Sequence, residues 1–429
     1  MSTKSKPVTA VIVGGGHRSF TYAQLALKSP DKLKIVGIAD PNPFRCEKAR
    51  KMFGFPQENC FSGADELAAV PKLADAVING TMDHQHVETA VPLLEKGYDM
   101  LLEKPFAINM QELERLVSVT EKHGNKVMIC HVLRYTPFYL AIKERVLAGE
   151  IGDIISINTF EHVSYHHAST SYVRGKWGNS ENCKTSMLLA KCCHDLDIMM
   201  WMMGDVKPKT VSSCGSIFQF RPESAPEGAG TKCLTDCPHV ESCLYSAKRL
   251  YIDHPDRWEF YVWSALEDKE NATLEDKINL LKGDSPYGKC IYKSGNNVVD
   301  HQSVMVNFEN GATGTHNMIA GAARPLRRIE IVGTKGEIYG EFEHNDIRIL
   351  KINPSVGKEF DEEVINLSDF VEGGGHGGGD VGLAEDFVNY IRGENPSVSC
   401  TSLADSVAGH KTVFLADESR VNGSKPMNY

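Results

Sequence analysis

The sequence lacks any apolar run long enough to cross a membrane and any excess of positive charge. Its most apolar stretch, residues 198–203, spans six residues, whereas a membrane-spanning helix needs about 20. Lys and Arg total 46 against 56 Asp and Glu, so the formal net charge is -10, which argues against a nucleic-acid-binding surface. Residues 1–8 are polar and carry no apolar secretion segment. We therefore expect a cytoplasmic protein that binds neither membranes nor nucleic acid.

The chain also lacks the features of a disulfide-stapled protein, although it has 12 cysteines. A chain of 429 residues buries a large core without crosslinks, and without an export signal reduced thiols or metal ligands are the usual use of cysteine. One cluster stands out, because Cys233, Cys237, His239 and Cys243 follow one another closely. Three thiolates and one imidazole suit a closed, structural zinc site. The spacing departs from the common C-x2-C pattern, so free thiols and disulfides remain alternatives.

A short β-branched run at residues 8–13 (VTAVIV) is typical of a strand buried in a parallel sheet. The loop that follows reads G-x-G-x-x-S, with Ser19 where the dinucleotide-binding pattern has its third glycine. The first glycine allows a tight turn, and the second lets the backbone approach a pyrophosphate at a helix N-terminus. From this loop we predict four cofactor-binding residues: Gly14, Gly16, His17 and Arg18.

A carboxylate follows the second predicted strand. Asp40 comes directly after residues 34–39, at the spacing of an acid that hydrogen-bonds the hydroxyls of an adenosine ribose. A carboxylate at this point should repel a 2′-phosphate, so we expect NAD as cofactor and NADP is less favoured. The alternative interpretation is a glycine-rich turn in an unrelated α/β fold.

Strand and helix patterns alternate up to residue 130. Predicted strands at residues 76–79, 99–102 and 126–130 are separated by helices at residues 84–96 and 110–123. Repeated β-α-β units predict a Rossmann dinucleotide-binding domain, a doubly wound parallel sheet with its ligand at the carboxyl ends of the strands. Residues at or just after these ends complete the predicted cofactor site: Thr81, His86, Glu103 and Lys104.

After residue 135 the pattern changes to longer, alternating strands. We predict a cofactor domain at residues 1–135 and an α+β domain at residues 136–429, built around a large, mainly antiparallel open sheet. A polar, irregular stretch near residues 222–285 indicates an insertion. The C-terminal helices, at residues 383–392 and 402–423, are expected to pack back toward the Rossmann domain. The predicted strands are residues 154–162, 210–220, 302–308, 313–318, 327–332 and 337–342.

Several motifs occur together in the order found in one known family. They are Gly14-x-Gly16, TMDHQHVETA from Thr81, Glu103-Lys104-Pro105, Arg134-Tyr135-x-Pro137, Gly149-x-Ile151-Gly152, His194-x-x-Asp197 and Glu418-Ser419-Arg420. Over nearly the whole chain this resembles the glucose-fructose oxidoreductase / inositol dehydrogenase / rhizopine-catabolism (Gfo/Idh/MocA) family. The resemblance implies oxidation of secondary alcohols on sugars, cyclitols and their derivatives. It also implies an open sheet that packs in oligomers, so we expect a homo-oligomer, a dimer or a tetramer.

By position, Lys104 resembles the catalytic lysine of that family and His194 its catalytic histidine. Many members carry an aspartate four residues before this histidine, where the present chain has Ala190, followed by Lys191. This departure puts the usual lysine–aspartate–histidine triad in question. The residues around Ala190 and Lys191 resemble a distinct branch of the family, and that resemblance suggests Cys290 as an alternative to His239 as the fourth ligand of the predicted metal site.

The histidine lies in a predicted helix over residues 187–203. Lys191, His194 and Asp197 are spaced i, i+3 and i+6, so they form one slanting polar ridge. Histidine titrates near neutral pH and is the natural base for the hydroxyl proton, while Lys104 is suited to hold the oxygen that becomes a carbonyl. Asp197 would fix the histidine tautomer or contact substrate, and Lys191 would bind a hydroxyl or lower the pKa of His194. The structural alternative for each is an ordinary buried or solvated side chain.

Substrate recognition is expected from the second domain. Aromatic, imidazole and guanidinium groups before the catalytic helix suit a carbohydrate, and Arg174 is the strongest candidate for direct contact, with a structural salt bridge as the alternative. A histidine between two triple-glycine runs lies where the backbone has unusual freedom, and we expect it to close over the site unless the loop is simply surface. The predicted substrate-binding residues are Tyr135, His167, Arg174, Trp177 and His376.

Taken together, the sequence predicts an NAD-dependent oxidoreductase that transfers hydride to or from a secondary alcohol of a carbohydrate-like small molecule. A second hypothesis is a glycosidase or lyase that uses NAD to oxidise a sugar transiently, eliminates a substituent and reduces the product again. A third is a non-catalytic NAD-binding sensor. Net NADH formation favours the first hypothesis, glycoside cleavage without net NADH favours the second, and a Lys104→Met variant with unchanged activity and phenotype favours the third.

Overall fold

The computed structural model describes residues 6–254, 257–266, 271–370 and 375–429, with the side chains at positions 370, 375 and 376 outside the description. Its N-terminal half is built on a six-stranded, fully parallel sheet with the order β3-β2-β1-β4-β5-β6. The predicted doubly wound sheet is therefore confirmed, and the strand order reverses between β1 and β4, where such sheets bind their ligands. The strands are β1 (Val8–Val13), β2 (Leu33–Ala39), β3 (Cys60–Phe61), β4 (Ala76–Asn79), β5 (Asp99–Leu102) and β6 (Val127–Ile129).

Helices cover both faces of this sheet, and local residues determine where they begin and end. Before α6 the side chain of Asn109 accepts a hydrogen bond from the backbone N–H of Glu112, and Gly124 ends that helix with a φ of 68°, which a residue with a Cβ adopts only at a cost. The helices are α1 (His17–Ala23), α2 (Leu25–Lys28), α3 (Pro43–Phe53), α4 (Ala64–Ala69), α5 (His86–Glu95) and α6 (Met110–His123).

The second half is organised on a nine-stranded sheet with the order β14-β13-β12-β11-β7-β10-β9-β8-β15. Among the described strands of this second sheet, only the β7–β10 pair is parallel, so the predicted, mainly antiparallel sheet is confirmed. The strands are β7 (Ile154–Ser164), β8 (Pro208–Ser216), β9 (His301–Phe308), β10 (Thr313–Ala322), β11 (Leu326–Gly333), β12 (Gly336–Glu341), β13 (Asp346–Ile352), β14 (Phe360–Asn366) and β15 (Met427–Asn428).

One helix of this half, α10, is buried on every side. All of its 11 residues are buried, including the polar residues His194, Asp195 and Asp197. The helix packs between the large sheet and α14. The helices are α7 (Pro137–Leu147), α8 (Tyr165–His167), α9 (Ser180–Cys183), α10 (Cys193–Met203), α11 (Glu259–Val262), α12 (Leu274–Lys282), α13 (Gly379–Arg392) and α14 (Leu403–Val421).

The two C-terminal helices contact both halves of the chain. Leu383 and Phe387 of α13 share a core with Leu101 of β5, and Leu403 of α14 lies in the core on the opposite face of the same sheet. The predicted domain boundary falls at Thr136, which caps the N-terminus of α7. The helices therefore extend the nucleotide-binding half with residues from the end of the chain.

The irregular segment between β8 and β9 has a small core of its own. It contains α11 and α12, and its buried apolar residues include Tyr251, Trp263 and Leu281. The insertion predicted near residues 222–285 falls on this segment. Among the described residues, no helix has the length and apolarity that crossing a membrane requires.

Candidate active site

The glycine-rich loop has the backbone geometry that its sequence predicts. Gly14 has a φ of 77°, and a Cβ at this position would lie 2.8 Å from the backbone N and Cα of Thr81. Gly16 caps the start of α1, and its nearest neighbour is the carbonyl oxygen of Gly80 at 3.7 Å from an added Cβ. Ser19, in place of the third glycine, is buried and donates from Oγ to the Gly14 carbonyl oxygen at 2.6 Å. Helix α1 still packs closely against the end of β4, because the residue that faces Ser19 there is Gly80, which has no side chain.

Asp40 is buried at the carboxyl end of β2 and is bound to the same loop. Its Oδ2 accepts a hydrogen bond from the Gly15 N–H at 2.7 Å, and its Oδ1 accepts one from the Asn42 N–H at 2.8 Å. The Arg45 guanidinium lies 3.5 Å from Oδ2. The carboxylate is thus oriented before any ligand arrives, while its predicted contact with the ribose stays a prediction.

Arg18 joins three segments around the first helix. Its Nε donates to Glu103 at 3.0 Å, and its Nη2 donates to Asp380 at the start of α13 at 2.6 Å. Tyr22 also donates to Glu103, at 2.9 Å. Burial by itself raises the pKa of Glu103, but Arg18, Lys104 and the hydrogen bonds from Arg18 and Tyr22 outweigh it and hold that pKa below its usual value. Glu103 is therefore ionised and positions the loop.

His86 connects the turn after β4 with the loop after β5. Its Nδ1 lies 2.7 Å from the Pro105 carbonyl oxygen and its Nε2 lies 3.1 Å from the Thr81 carbonyl oxygen. The ring is buried, and the peptide between Lys104 and Pro105 is cis. Thr81 in turn donates from Oγ1 to Asn79 at 2.9 Å. His86 therefore braces the predicted nicotinamide end of the site rather than lying on a helix surface.

Lys104 reaches from the first domain into the second. Its Nζ donates to the backbone carbonyl oxygen of Ala190 at 2.9 Å. Ala190 lies in a π-helical turn, Leu188–Cys192, that leads directly into α10. π-helical turns interrupt the regular ladder of α-helical hydrogen bonds and are frequent at functional sites. The ammonium group of Lys104 is thus held at the entrance of the helix that carries His194.

The polar ridge of α10 has three different environments. The buried ring of His194 is 5.5 Å from the ring of His131, measured between centroids. Both carboxylate oxygens of Asp197 accept hydrogen bonds from the Arg134 guanidinium, at 2.6 and 2.8 Å. Asp197 also lies 3.8 Å from Nε2 of His131. The structure therefore brings His131 next to the candidate base, and Arg134 binds the Asp197 carboxylate.

Lys191 belongs to a buried network of charges. Its Nζ lies 3.1 Å from Glu161, which is also 2.7 Å from Arg327, and Arg327 continues to Asp195 at 3.2 Å. Burial, followed by the repulsion of Arg327, lowers the pKa of Lys191 despite Glu161. The sequence reasoning missed Glu161 and Arg327, although the signal was present as charged residues on strands β7 and β11. A further member, His316, has a ring nitrogen within 4.8 Å of Cys192 and Asp195 ligand atoms.

The aromatic side of the site includes a contact between the domains. Trp177 donates from Nε1 to the buried Asp83 carboxylate at 2.6 Å and stacks on Tyr172 at 5.6 Å. The Nζ of Lys176 lies 3.9 Å from the Trp177 ring centre. Burial lowers the pKa of Lys176, with Lys104 acting in the same direction and Asp83 opposing it. Lys176 and Asp83 are site residues that the sequence motifs did not single out.

The insertion also contacts the glycine-rich loop and one of the predicted substrate residues. Trp258 stacks on His167 at 3.8 Å between ring centroids, and Phe260 stacks on His17 of the glycine-rich loop at 5.1 Å. Burial lowers the pKa of His167 well below its ordinary value. Residues 257–262, called the insertion tip below, thus contact both the predicted cofactor loop and the predicted substrate side.

The remaining predicted substrate residues lie in the scaffold or outside the description. Arg174 is buried and donates to the carbonyl oxygens of Lys289 and Tyr245, both at 2.7 Å. Tyr135 donates from its hydroxyl to Asp386 of α13 at 3.0 Å. The structure therefore uses Arg174 and Tyr135 for internal contacts. The prediction for His376 falls on a side chain outside the described residues.

The predicted metal ligands surround one small cavity in the insertion. Cys233, Cys237, His239, Cys243 and Cys290 all line it, and each of these cysteines is unpaired. Among the described residues, no three of these side chains have their ligand atoms all within 4.8 Å of one another. The sulfur atoms of a zinc tetrahedron lie about 3.8 Å apart. The arrangement therefore does not match the zinc site predicted from the sequence.

Comparison with known proteins gives matches over most of the chain. Residues 8–131 match the model of an oxidoreductase family with an NAD-binding Rossmann fold, and residues 143–400 match the C-terminal alpha/beta domain of that family, Gfo/Idh/MocA. The Bacillus subtilis (strain 168) oxidoreductase YteT is 27% identical over 394 residues, which is 90% of this chain and 88% of that protein.

Two further similarities are more distant. The scyllo-inositol 2-dehydrogenase (NAD(+)) of Bacillus subtilis (strain 168) is 26% identical over 200 residues, covering 46% of this chain and 54% of that protein. The structure of levoglucosan dehydrogenase in complex with NADH and levoglucosan superposes with a TM-score of 0.70 at 17% identity, covering 99% of each chain. At this identity the structural similarity establishes the fold.

Proposed function

Because the chain belongs to the Gfo/Idh/MocA oxidoreductase family, we propose that it transfers hydride between NAD and a secondary alcohol of a sugar, a cyclitol or a sugar derivative. The observation that carries this proposal is the hydrogen bond from Lys104 to the Ala190 carbonyl oxygen at 2.9 Å. It places an ammonium group from the NAD-binding domain at the start of α10, the helix of His194. Relatives that act on scyllo-inositol and levoglucosan support a polyhydroxylated substrate.

Two side chains perform the chemistry in this proposal. Lys104 donates a hydrogen bond to the substrate oxygen and stabilises the negative charge that develops there. His194 accepts the hydroxyl proton as the carbonyl forms and returns it in the reverse direction. NAD, when bound, accepts or returns the hydride. His131 lies against His194 and Glu103 anchors the loop of Lys104, so both act as positioning residues.

The cofactor is bound by the carboxyl edge of the parallel sheet. Gly14 and Gly16 leave room for the pyrophosphate. Asp40 accepts hydrogen bonds from the ribose hydroxyls of NAD and would repel the 2′-phosphate of NADP. We therefore propose NAD in preference to NADP. Asp40→Ala should reduce the ratio of the affinities for NAD and NADP. Titration of the wild type and the variant with each cofactor measures this ratio.

The position of Lys176 also favours a second candidate function, an elimination that follows transient oxidation. Such a reaction needs a further base to remove a proton next to the new carbonyl, and Lys176 supplies a second lysine close to Lys104 with a lowered pKa. Lys176→Met should then abolish glycoside cleavage and leave alcohol oxidation intact. Cleavage without net NADH formation identifies this function.

A substrate panel tests the main proposal. Purified protein is incubated with NAD and with hexoses, uronates, inositols or amino sugars, and NADH formation is followed by absorbance. NAD at one hundred times its dissociation constant should stabilise the fold by about 3 kcal/mol in thermal unfolding. If NAD gives no thermal shift and no member of the panel is oxidised, the proposal is wrong.

We also propose a cytoplasmic homo-oligomer, a dimer or a tetramer. Support for the compartment comes from the 12 cysteines, all of which are unpaired. The support for assembly is the outer face of the large sheet, where Ile155, Met305 and Ile319 are exposed. Light scattering on the purified chain tests the assembly, and a monomer at micromolar concentration would contradict it.

A further inference from the structure

The loop at residues 174–178 (RGKWG), called the lysine loop below, packs tightly against the turn that precedes it. It follows the π-helical turn Ala168–Val173. A Cβ added at Gly175 would lie 2.0 Å from a backbone carbonyl oxygen of that turn, and one added at Gly178 would lie 2.3 Å from another. No side chain fits at such distances, so both glycines are required for the close approach of the two backbones.

Hydrogen bonds anchor the lysine loop on both sides. Arg174 donates to the carbonyl oxygens of Lys289 and Tyr245 in the insertion, both at 2.7 Å. Trp177 donates from Nε1 to Asp83 in the Rossmann domain at 2.6 Å. The loop therefore connects the insertion with the cofactor domain, and the one lysine that it carries has a fixed backbone position.

That lysine, Lys176, has an ammonium group without an ion pair. The side chain is exposed to solvent, yet burial is the largest influence on its pKa and lowers it, with Lys104 acting in the same direction and Asp83 opposing it. A side chain that solvent reaches although protein surrounds it lies in a concave part of the surface. Its Nζ is 3.9 Å from the ring centre of Trp177, and among the described residues neither a hydrogen-bond acceptor nor a carboxylate lies within bonding distance.

Four other cations around the site are paired inside the protein. They are Arg18, Arg134, Lys191 and Arg327, each with a carboxylate oxygen 2.6–3.1 Å away. Lys104 has the Ala190 carbonyl oxygen and, in the proposed reaction, the substrate oxygen. An ammonium group that protein surrounds is stabilised by an anionic partner. For Lys176 that partner is left for the substrate to supply.

A single ammonium group suits a carboxylate better than a phosphate. A carboxylate carries one negative charge, whereas a phosphate monoester carries about 1.5 to 2 at neutral pH and is typically bound by arginine or by the N–H groups of a helix N-terminus. The lysine loop offers one ammonium group, because the Arg174 guanidinium is bound to carbonyl oxygens of the insertion. The chemistry of the loop therefore indicates a sugar acid.

We propose that Lys176 binds a carboxylate of the substrate, so that the alcohol that is oxidised belongs to a sugar acid of the hexuronate type. This inference rests on the proposed hydride transfer between NAD and a secondary alcohol. Lys104 holds the reacting oxygen, and Lys176 holds the charged end of the same molecule. Lys176 is then a specificity-determining residue, and the hydride transfer passes neither a proton nor electrons through it.

This role differs from that of a base in an elimination. An ammonium group that binds a carboxylate stays protonated, whereas a base needs the neutral amine. Arginine keeps the positive charge at every pH at which the protein is folded, so it can bind the carboxylate but cannot accept a proton. Lys176→Arg and Lys176→Met therefore separate the two roles.

Matched pairs of sugars test the proposal. Wild type and variants are assayed with NAD and with glucuronate against glucose, galacturonate against galactose, and glucose 6-phosphate, and NADH formation gives kcat and KM. The ratio of kcat/KM for a uronate to that for its hexose should favour the uronate in the wild type. In Lys176→Met this ratio should fall about 10- to 100-fold, as expected for the loss of a hydrogen bond to a charged group, chiefly through KM. Lys176→Arg should retain most of the ratio, and Lys122→Met, at an exposed lysine of α6, should retain all of it.

Several results would overturn the proposal. These are a wild type that oxidises hexoses as efficiently as uronates, a preference for glucose 6-phosphate over both uronates, and a ratio that falls equally in Lys176→Arg and Lys176→Met. If Lys176→Met does not fold, the ratios of the wild type and of Lys176→Arg still decide the question.

Calorimetric titration of the NAD-bound protein with each uronate keeps this inference separate from the proposed activity. Saturable binding that Lys176→Met loses and Lys176→Arg keeps would support the carboxylate site even if no sugar is oxidised. Oxidation of neutral sugars without uronate binding would leave the dehydrogenase activity in place and refute the carboxylate site.

Discussion

The ammonium group of Lys104 and the carbonyl oxygen of Ala190 lie 2.9 Å apart. Ala190 stands where many members of the family carry an aspartate, and its side chain offers no acceptor. The π-helical turn Leu188–Cys192 supplies a backbone carbonyl instead. The lysine is therefore held at the start of α10 although the carboxylate expected from the family resemblance is missing.

Removing the ammonium group should abolish hydride transfer. We expect Lys104→Met to lower kcat at least about 100-fold, since one positioned donor contributes that much to the transition state, while NAD still stabilises the fold. Lys122→Met, at an exposed lysine of α6, is the control and should keep full activity. Unchanged activity and phenotype in Lys104→Met would favour the non-catalytic sensor.

Replacing the candidate base should change the pH profile as well as the rate. His194→Asn should lower kcat by about 10²- to 10⁴-fold, as general bases typically contribute, and remove the limb of the profile that reports the imidazole. His123→Asn, at an exposed histidine in the last turn of α6, should leave the profile as it is. A variant at position 194 with a lower rate and an unaltered profile would assign the proton transfer elsewhere.

The ion pair between Arg134 and Asp197 should matter for stability. Both residues are at most 2% exposed, and removal of one partner of a buried pair leaves the other charge uncompensated. Asp197→Asn should lower the free energy of unfolding by about 3–5 kcal/mol, measured by urea denaturation. Asp361→Asn, at the exposed pair with Lys358, should cost at most about 1 kcal/mol. Equal effects of the two substitutions would argue against a structural role for Asp197.

His131 should make the fold sensitive to acid. Burial, only partly opposed by Asp197, lowers its pKa to about 4, below the ordinary value of about 6.5. Between these values the unfolded chain binds the proton and the folded chain does not, so stability is present above about pH 6.5 and is lost as the pH falls toward 4. From pH 7 to pH 5 the wild type should therefore lose about 2 kcal/mol more than His131→Phe.

Urea denaturation at the two pH values measures this difference. His123→Gln, which replaces an exposed histidine, is the matched control, and we expect this variant to lose as much stability as the wild type. A His131→Phe variant that loses as much stability as the wild type would show that the proton is taken up elsewhere.

The insertion tip should affect cofactor binding. Phe260→Ala removes the ring that stacks on His17, a contact worth about 0.5–1.5 kcal/mol, and should raise KM for NAD up to about tenfold with kcat maintained. Phe218→Ala, at an aromatic ring that is 68% exposed, is the control for loss of an aromatic side chain. A lower KM for NAD in Phe260→Ala would mean that the tip obstructs the cofactor.

Local sequence was sufficient for the nucleotide-binding half. Three features interact with neighbours in the same β-α-β unit: the β-branched run before Gly14, the small Ser19 and the carboxylate of Asp40. Their spacing in the sequence therefore determines where they lie relative to one another. The mainly antiparallel sheet was also predictable, because alternation of buried and exposed side chains is a property of each strand. The position of Lys104 just after β5 was predictable too, because ligand-binding residues of a parallel sheet follow the carboxyl ends of its strands.

The partners of the polar residues could not be predicted in this way. Asp197 shares a helix face with His194, but Arg134, 63 positions earlier, binds both of its oxygens. Arg174 was a plausible substrate contact until the folded insertion surrounded it with carbonyl oxygens and a thiol. The cysteine pattern named candidate ligands, whereas the distance between their sulfur atoms depends on how the two ends of the insertion meet. Pairing between distant segments is set by packing of the whole chain, and a backbone carbonyl such as that of Ala190 leaves no trace in the sequence because every residue has one.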